Sequence, residues 1–289
     1  MPEPQILNTP LDDTISEFAL GLIAQRIDDW HPSGTAIVIA PHLALTAKHI
    51  VDDYWRHFGE DRKLKFGDLH GEFGFLAQQV LPGGIGSLWA VRKLWLSSHS
   101  DLAILFLEPY SEVARTYKWR CPMLQLRPPA VGDKVECFGY RGGKAIETVD
   151  SKQISVEWTC NPSTAVGKVI QVFHDQRDRG MLNFPCFSTN APFTHGMSGG
   201  PIIVNGLLSG IICASGPEDE DGHKITYGAS LWPLLAMSLE LDVAEYPTRS
   251  EFTVLELVKR GFIRSVDLDC IRVTSLDDNR PVIHGPFPN

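Results

Sequence analysis

The sequence predicts a mainly β protein in which short antiparallel strands form sandwiches or barrels. Beyond Gly34 the chain consists largely of short apolar and β-branched runs, separated by Gly, Pro, Asn and Asp. Many short strands with frequent turns, and few long helical patterns, are typical of these all-β architectures. The predicted strands are 35–40, 43–47, 88–96, 102–107, 134–140, 168–173, 201–204 and 208–214.

Three segments have the residue spacing of helices. In residues 14–30 apolar side chains recur every three or four positions, and Thr14 with Glu17 fits a capping box. Segments 232–241 and 252–260 show similar spacing. The consecutive prolines at 128–129 are expected to lie in a crossover between two halves of the chain.

Composition excludes several classes of partner. The 289 residues suffice for two domains or one large one, and 43% apolar with 21% charged residues is ordinary for a globular protein. The formal net charge of −9 disfavours nucleic acid and anionic membrane surfaces, since such binding relies on Lys and Arg. The N-terminus lacks the pattern of a secretory signal, and no apolar run of about 18 residues predicts a membrane span.

The cysteines and histidines predict neither disulfides nor a metal site. The six cysteines are widely spaced and include no C-x-x-C pair, which indicates reduced thiols and a cytoplasmic location. The histidines show no H-E-x-x-H or comparable spacing, so we expect no metal and no cofactor.

Three stretches together indicate nucleophilic acyl transfer. They are A-L-T-A-K-H-I-V with His49, H-S-D-L-A-I-L with Asp101, and G-M-S-G-G-P with Ser198. A serine hydroxyl attacks an amide only if an imidazole takes its proton, and a buried carboxylate fixes the tautomer of that imidazole. His42 is an alternative base, but it follows a proline in a predicted turn.

The glycines around Ser198 fit the needs of the same reaction. The tetrahedral oxyanion requires preorganised N–H donors. An unusual dihedral at Gly196 would direct its N–H at the substrate carbonyl, and the N–H of Ser198 would complete the oxyanion hole. Gly199 and Gly200 would let the next strand pass close behind the nucleophile, and Pro201 would begin that strand.

These motifs resemble those of the chymotrypsin/trypsin-like serine proteases, particularly the bacterial trypsin-like members. The matching residues are L-T-A-K-H, S-D-L-A-I-L and G-M-S-G-G-P, in the order found in the family, and the similarity covers roughly residues 33–240. The resemblance implies two six-stranded antiparallel β-barrels with the active site between them. His49 and Asp101 would come from the first barrel and Ser198 from the second.

The sequence departs from the family pattern at several positions. Met197 replaces the aspartate that pairs with a freed N-terminus in secreted trypsins, so we expect activity without such a cut. Ile50 replaces a cysteine of a characteristic disulfide. The resemblance places the S1 pocket at Pro192, Phe193, His195, Cys213, Ala214, Ser215 and Thr226. These mostly small or apolar residues would accept a small or hydrophobic side chain, and His195 leaves an acidic side chain as the alternative.

The sequence thus predicts an intracellular serine endopeptidase that hydrolyses a protein or peptide substrate through an acyl-enzyme. A protease-fold binding or scaffold protein and an esterase with the same triad are the alternatives. Because a cytoplasmic protease must be restrained, we expect narrow specificity or activation by a regulatory protein partner. The expected domains are an N-terminal helical segment (1–32), a first barrel (33–120), a second barrel (121–245) and a C-terminal extension (246–289).

Overall fold

A computed structural model describes residues 4–10, 13–26, 29–58, 74–81, 83–150, 153–218, 224–242, 246, 251–275 and 281–286. The strands before the middle of the chain are β1 (Gln5–Asn8), β2 (Ala19–Arg26), β3 (Asp29–Ala40), β4 (Leu43–Thr46), β5 (Gly74–Leu81), β6 (Ile85–Leu96), β7 (Ala103–Pro109) and β8 (Leu124–Gln125). The next strands are β9 (Lys134–Asp150), β10 (Gln153–Phe173), β11 (Cys186–Thr189), β12 (Pro201–Val204), β13 (Leu207–Glu218) and β14 (Lys224–Ser230).

The C-terminal part contains short strands, and helices are few and short throughout. The remaining strands are β15 (Ser238–Leu239), β16 (Phe252–Thr253), β17 (Ser265–Val266), β18 (Arg272–Ser275) and β19 (Pro281–His284). The α-helices are α1 (Lys48–Phe58), α2 (Glu112–Arg115) and α3 (Val254–Lys259), and 3-10 turns span Thr14–Glu17, Trp232–Ala236 and Leu268–Cys270. Among the described helices, none has the length and apolar character needed to cross a membrane.

Strands β2 to β7 close into a first antiparallel barrel in the order β2-β3-β4-β7-β6-β5. Its strands carry apolar side chains without solvent exposure on both faces of the sheet, including Leu20, Ile37 and Leu45. Strands β4 and β7 pair so that Thr46, the last residue of one, lies opposite Ala103, the first residue of the other. This register brings the residues just after β4 next to those just before β7.

A second antiparallel barrel is formed by β9, β10, β11, β14, β13 and β12, and it closes where β12 pairs with β9. The two six-stranded barrels confirm the predicted fold class. Short parallel pairings add β8 to β13 and β17 to β8, so the chain after residue 246 is joined to the second barrel.

The helix predicted over residues 14–30 is wrong. The structure has a 3-10 turn over Thr14–Glu17 followed by strand β2, so the N-terminal segment supplies part of the first barrel. Residues 19–24 are apolar or glycine, and Leu20, Leu22 and Ala24 have no solvent exposure. A strand buried on both faces gives a nearly continuous apolar run, which its periodicity does not distinguish from a helix. The turn is capped by Asp13, not by Thr14.

The other two helix predictions have different outcomes. In 232–241 the structure has a 3-10 turn at Trp232–Ala236 and then β15, which pairs with β16 instead of continuing a helix. In 252–260 the prediction is confirmed by α3, whose capping box joins Thr253 and Glu256.

Candidate active site

His49 and Asp101 are held together by two hydrogen bonds. The imidazole Nδ1 lies 2.7 Å from Asp101 Oδ2, and the backbone N–H of His49 donates to Asp101 Oδ1 at 2.9 Å. The residues are brought together by the β4–β7 register, because His49 is the second residue of α1, just after β4, and Asp101 precedes β7. One carboxylate therefore fixes both the backbone and the ring of the histidine, and Nδ1 carries the proton that Asp101 accepts.

The electrostatic surroundings of His49 favour its protonated form. Burial lowers the pKa of the imidazole, but the hydrogen bond and charge of Asp101, and the charges of Asp53 and Asp52, raise it. The net result is a pKa above the ordinary value of 6.5. The group is thus a base whose strength depends on Asp101.

Ser198 lies in a tight turn that contacts the first barrel. Its carbonyl accepts a hydrogen bond of 2.8 Å from the backbone N–H of Thr35, on β3. A Cβ atom on Gly34 would lie 2.9 Å from this carbonyl oxygen and 2.5 Å from Cδ1 of Ile50, the residue after His49. The serine turn and the histidine segment therefore contact the same point of β3.

Ser198 and His49 are not hydrogen-bonded to each other in the part of the chain that the structure describes. Each is partly exposed, and the ring atom Nε2 of His49 has no partner among these residues. Hydrogen bonds between nucleophile and base are often long or poorly aligned without a substrate and tighten when it binds.

The glycines of the turn have the backbone shape that the sequence predicts. Gly196 has φ 91°, and a Cβ there would lie 2.4 Å from the carbonyl oxygen of Tyr140. Gly199 has φ 78°, and a Cβ there would lie 2.2 Å from both the carbonyl oxygen of Thr35 and Oγ1 of Thr46. A side chain at either position would be strained and would collide with a neighbouring strand. Pro201 begins β12, as predicted.

Replacing Gly199 with alanine is expected to destabilise the fold far more than the same change at Gly206. Both residues have φ 78°, so both variants incur about 1–2 kcal/mol for the left-handed backbone. Around Gly206 nothing lies within 4 Å of the added Cβ. The free energy of unfolding in urea should fall by about 3 kcal/mol or more for Gly199→Ala, because overpacking adds to the backbone strain. Equal losses for the two variants would contradict the close contact.

Two amides of the turn have no acceptor among the described residues. The N–H groups of Met197, Gly199 and Gly200 donate to Thr194, Ile212 and Met197 carbonyls respectively. Within the described chain, those of Gly196 and Ser198 have no acceptor. These are the two amides predicted for an oxyanion hole. The intervening Met197 has no solvent exposure and packs on Gly139.

A cavity of about 790 Å³ opens beside His49 and Asp101. Of the seven residues predicted for the S1 pocket, it includes Cys213 and Ala214 and none of the other five. Phe193 is buried with Met197 in the core of the second barrel, and buried Thr226 donates a hydrogen bond to the Ala191 carbonyl. The cavity is lined by Lys48, His49, Asp52, Ser98, His99, Ser100, Asp101, Asp175, Met181, Leu182, Asn183, Phe184, Pro185, Cys213, Ala214, Trp232, Pro233, Ala236 and Ile283.

Other candidates from the sequence have structural positions. His42 has φ 61° in the turn between β3 and β4, and its ring contacts the Leu107 carbonyl at 2.8 Å and stacks on Phe106. All six cysteines are free thiols. Across the described residues, no cluster of three or more His, Cys, Asp or Glu side chains could hold a metal ion.

Residues 34–211 match the family model of the trypsin-like peptidase domain. The chain belongs to this family. The trypsin-like peptidases are hydrolases, so its substrates are peptides or proteins. No curated protein sequence matches the chain.

Solved protease structures resemble this trypsin-like peptidase in fold. Neuropsin, a serine protease expressed in the limbic system of mouse brain, is 15% identical, with 75% of this chain and 90% of neuropsin covered and a TM-score of 0.48. Deg5 is 16% identical, with 69% and 80% covered and a TM-score of 0.47. An inactive form of Rv3671c from M. tuberculosis H37Rv is 16% identical, with 77% and 85% covered and a TM-score of 0.46.

Two contributions to the site were missed by sequence reasoning. Thr35 makes hydrogen bonds to the serine turn, and Ile283, far along the chain, lines the cavity. Neither residue belongs to a recognisable motif. Their roles depend on contacts between segments remote in sequence, for which a single sequence carries no signal.

Proposed function

We propose that this trypsin-like peptidase is a serine endopeptidase with Ser198 as nucleophile, His49 as general base and Asp101 as the group that orients His49. The observation that carries the proposal is the pair of hydrogen bonds by which Asp101 holds both the ring and the backbone of His49. That arrangement leaves Nε2 as the basic atom, on the ring edge away from Asp101.

The proposed reaction proceeds in two halves. Nε2 of His49 takes the hydroxyl proton as Ser198 Oγ bonds to the scissile carbonyl carbon, and the carbonyl oxygen becomes an oxyanion. The proton then passes from His49 to the amine nitrogen as the C–N bond breaks, which leaves an acyl-enzyme. In the second half water, deprotonated by His49, attacks the acyl carbon. The bond between this carbon and Ser198 Oγ then breaks, the carboxylic acid product leaves, and Oγ takes its proton back from His49.

The free amides of Gly196 and Ser198 support the assignment of an oxyanion hole. Two unpaired N–H groups close to a surface cost free energy unless water or a ligand satisfies them. Preorganised donors stabilise the developing negative charge without reorganisation during the reaction. No step in this scheme requires a metal or a cofactor.

Two alternatives are separable by experiment. A binding or scaffold protein does not need the His49–Asp101 hydrogen bonds or the strained glycine turn, so their presence favours an enzyme. An esterase would use the same residues. Three expectations stay predictions: the S1 residues that do not line the cavity, a cytoplasmic location, and activation by a partner.

The test is covalent labelling of the purified wild-type chain by a fluorophosphonate, followed by hydrolysis assays on peptide libraries and on simple esters. We expect labelling at Ser198 and cleavage of internal peptide bonds. Absence of labelling under conditions where a known serine protease reacts would contradict the nucleophile. Labelling with ester cleavage but no peptide cleavage would favour the esterase.

A further inference from the structure

The C-terminal segment 281–286 forms part of the wall of the cavity beside His49. Strand β19 pairs with β18, and Thr274 Oγ1 lies 2.9 Å from His284 Nε2. Gly285 packs so closely on Trp232 that a Cβ there would lie 2.7 Å from the indole. Ile283 therefore faces the cavity from a segment that is fixed against the second barrel and lies outside residues 34–211.

The cavity has an excess of acidic groups. Asp52, Asp101 and Asp175 line it, against a single lysine, Lys48. Asp101 is committed to His49, whereas Asp52 and Asp175 have no hydrogen-bond or ion-pair partner in the described part of the molecule. Unpaired carboxylates that line a cleft attract a cation.

A buried hydroxyl and apolar walls complete the site. Ser100 lines the cavity with 6% of its surface exposed, and its Oγ has no partner among the described residues. Such a buried polar group is satisfied when a ligand or water donates to it. Leu182, Phe184 and Pro233 provide apolar surface against which an aliphatic chain can pack.

We propose that this cavity binds a long cationic side chain, lysine or arginine, of the peptide substrate, with Ile283 as part of its wall. The proposal rests on the proposed endopeptidase function. The aliphatic stem packs on the apolar walls, and the charged end meets Asp52 and Asp175 beside the buried Ser100. Since five of the seven predicted S1 residues lie elsewhere, the cation belongs to a residue other than the one directly before the scissile bond.

The test compares cleavable peptides that carry lysine or norleucine at each position around the scissile bond. Wild-type kcat/KM should favour lysine about tenfold at one position other than the residue before the scissile bond, as expected for a charge-assisted hydrogen bond. Asp175→Asn should remove most of this preference. Ile283→Lys, which puts a competing ammonium into the cavity, should remove it too.

Controls separate the failure of this proposal from failure of the enzyme. Asp53→Asn changes a carboxylate outside the cavity and should keep the lysine preference. Fluorophosphonate labelling of Ser198 should persist in all variants. Three results with a labelled enzyme would overturn the subsite. They are no lysine preference, a lysine preference only at the residue before the scissile bond, and a lysine preference that is unchanged in Asp175→Asn or Ile283→Lys. A wild-type enzyme that is not labelled instead contradicts the proposed function.

An independent observation concerns Thr35, which has no solvent exposure and joins the two barrels at the serine turn. Its backbone N–H donates to the Ser198 carbonyl at 2.8 Å, and its Oγ1 donates to the Gly196 carbonyl at 2.9 Å. The same Oγ1 accepts a hydrogen bond of 3.1 Å from the backbone N–H of Tyr140, on β9. One residue thus holds carbonyls on both sides of Met197, that of Gly196 through its hydroxyl and that of Ser198 through its backbone N–H.

We infer that the Thr35 hydroxyl is a positioning residue for the proposed oxyanion hole. The two carbonyls that Thr35 holds belong to the same residues, Gly196 and Ser198, whose amides are free. These carbonyls share peptide planes with the N–H groups of Met197 and Gly199, which lie on either side of the plane that carries the Ser198 N–H. Holding both flanking planes restricts the direction of the Ser198 N–H, and holding the first also restricts the chain next to the Gly196 N–H. The inference rests on the proposed function, because the hydroxyl acts on the reaction only through these amides.

The test compares Thr35→Val, which keeps the shape and removes the hydroxyl, with Thr35→Ser, which keeps the hydroxyl. With active sites counted by fluorophosphonate, kcat of Thr35→Val should fall about 10²-fold with little change in KM, and affinity for a peptide boronic acid should fall in parallel. Thr35→Ser should restore most of both.

Thr46→Val is the matched control for lost stability. Thr46 is equally buried, and its Oγ1 donates to the Thr35 carbonyl without bonding the serine turn. The Thr46→Val variant should have a lower melting temperature, while its kcat per active site stays near the wild-type value. If Thr35→Val keeps wild-type kcat, or if Thr35→Ser loses as much as Thr35→Val, the positioning role is wrong. If the wild-type enzyme is not labelled, the proposed function fails first.

Discussion

Replacing Ser198 with alanine is expected to abolish fluorophosphonate labelling and to lower kcat for peptide hydrolysis by about 10⁴-fold or more. Without the hydroxyl no acyl-enzyme forms, and His49 has no proton to remove. The amides of Gly196 and Ser198 would persist, so slow hydrolysis by directed attack of water would remain. Peptide hydrolysis is measured under single-turnover conditions. Fluorophosphonate labelling is measured separately, on the protein band after electrophoresis.

Stability provides the control for Ser198→Ala. Ser198 is partly exposed, and its side chain makes no hydrogen bond within the described residues, so the melting temperature should stay within a few degrees of wild type. Heat-denatured wild-type protein reports nonspecific labelling. Labelling of folded Ser198→Ala above that background would rule out Ser198 as the nucleophile.

The second large effect is expected from Asp101→Asn, which should lower kcat by about 10⁴-fold. An asparagine can present an N–H to Nδ1, which favours the tautomer with the proton on Nε2. That tautomer cannot take the serine proton. The backbone N–H of His49 would keep an oxygen acceptor, so the fold should be retained.

The pH dependence of the same variant gives a separate readout. Activity needs neutral His49, so it rises with pH through the pKa of His49, which lies above 6.5 in the wild-type protein. The hydrogen bond and charge of Asp101 raise that pKa, and their removal lowers it. The acid limb of kcat/KM should therefore move to lower pH in Asp101→Asn. A limb that stays in place, with wild-type kcat, would contradict the role of Asp101.

Local sequence predicted many of the strands but not the nature of the N-terminal segment. The strands near 35–40, 43–47 and 102–107 are confirmed because short apolar runs bounded by turn residues have few alternatives. Residues 19–24 are equally apolar, but a run buried on both faces fits a strand and a helix alike. Pairing with β3 and β5 decided the matter, and those partners lie elsewhere in the chain.

The candidate site likewise has parts that the sequence predicts and parts that it does not. Its motifs are visible because the chemistry restricts residue type: a base, a carboxylate, and a serine among glycines whose backbone shape few residues adopt. Hence Gly196, Gly199 and the pairing of His49 with Asp101 could be expected. The cavity could not be expected, because the packing of remote segments decides which side chains line it.

The sequence by itself predicted short strands in sandwiches or barrels, and it identified His49, Asp101 and Ser198 as the candidate chemical groups. Two barrels followed from the resemblance of its motifs to those of the family. Only the tertiary structure decided that Thr35 holds the serine turn and that Ile283 lines a cavity beside His49. The physical reason is that dihedral preference and chemical reactivity are properties of single residues and short motifs. Hydrogen bonds and packing between distant segments exist only once the barrels have closed.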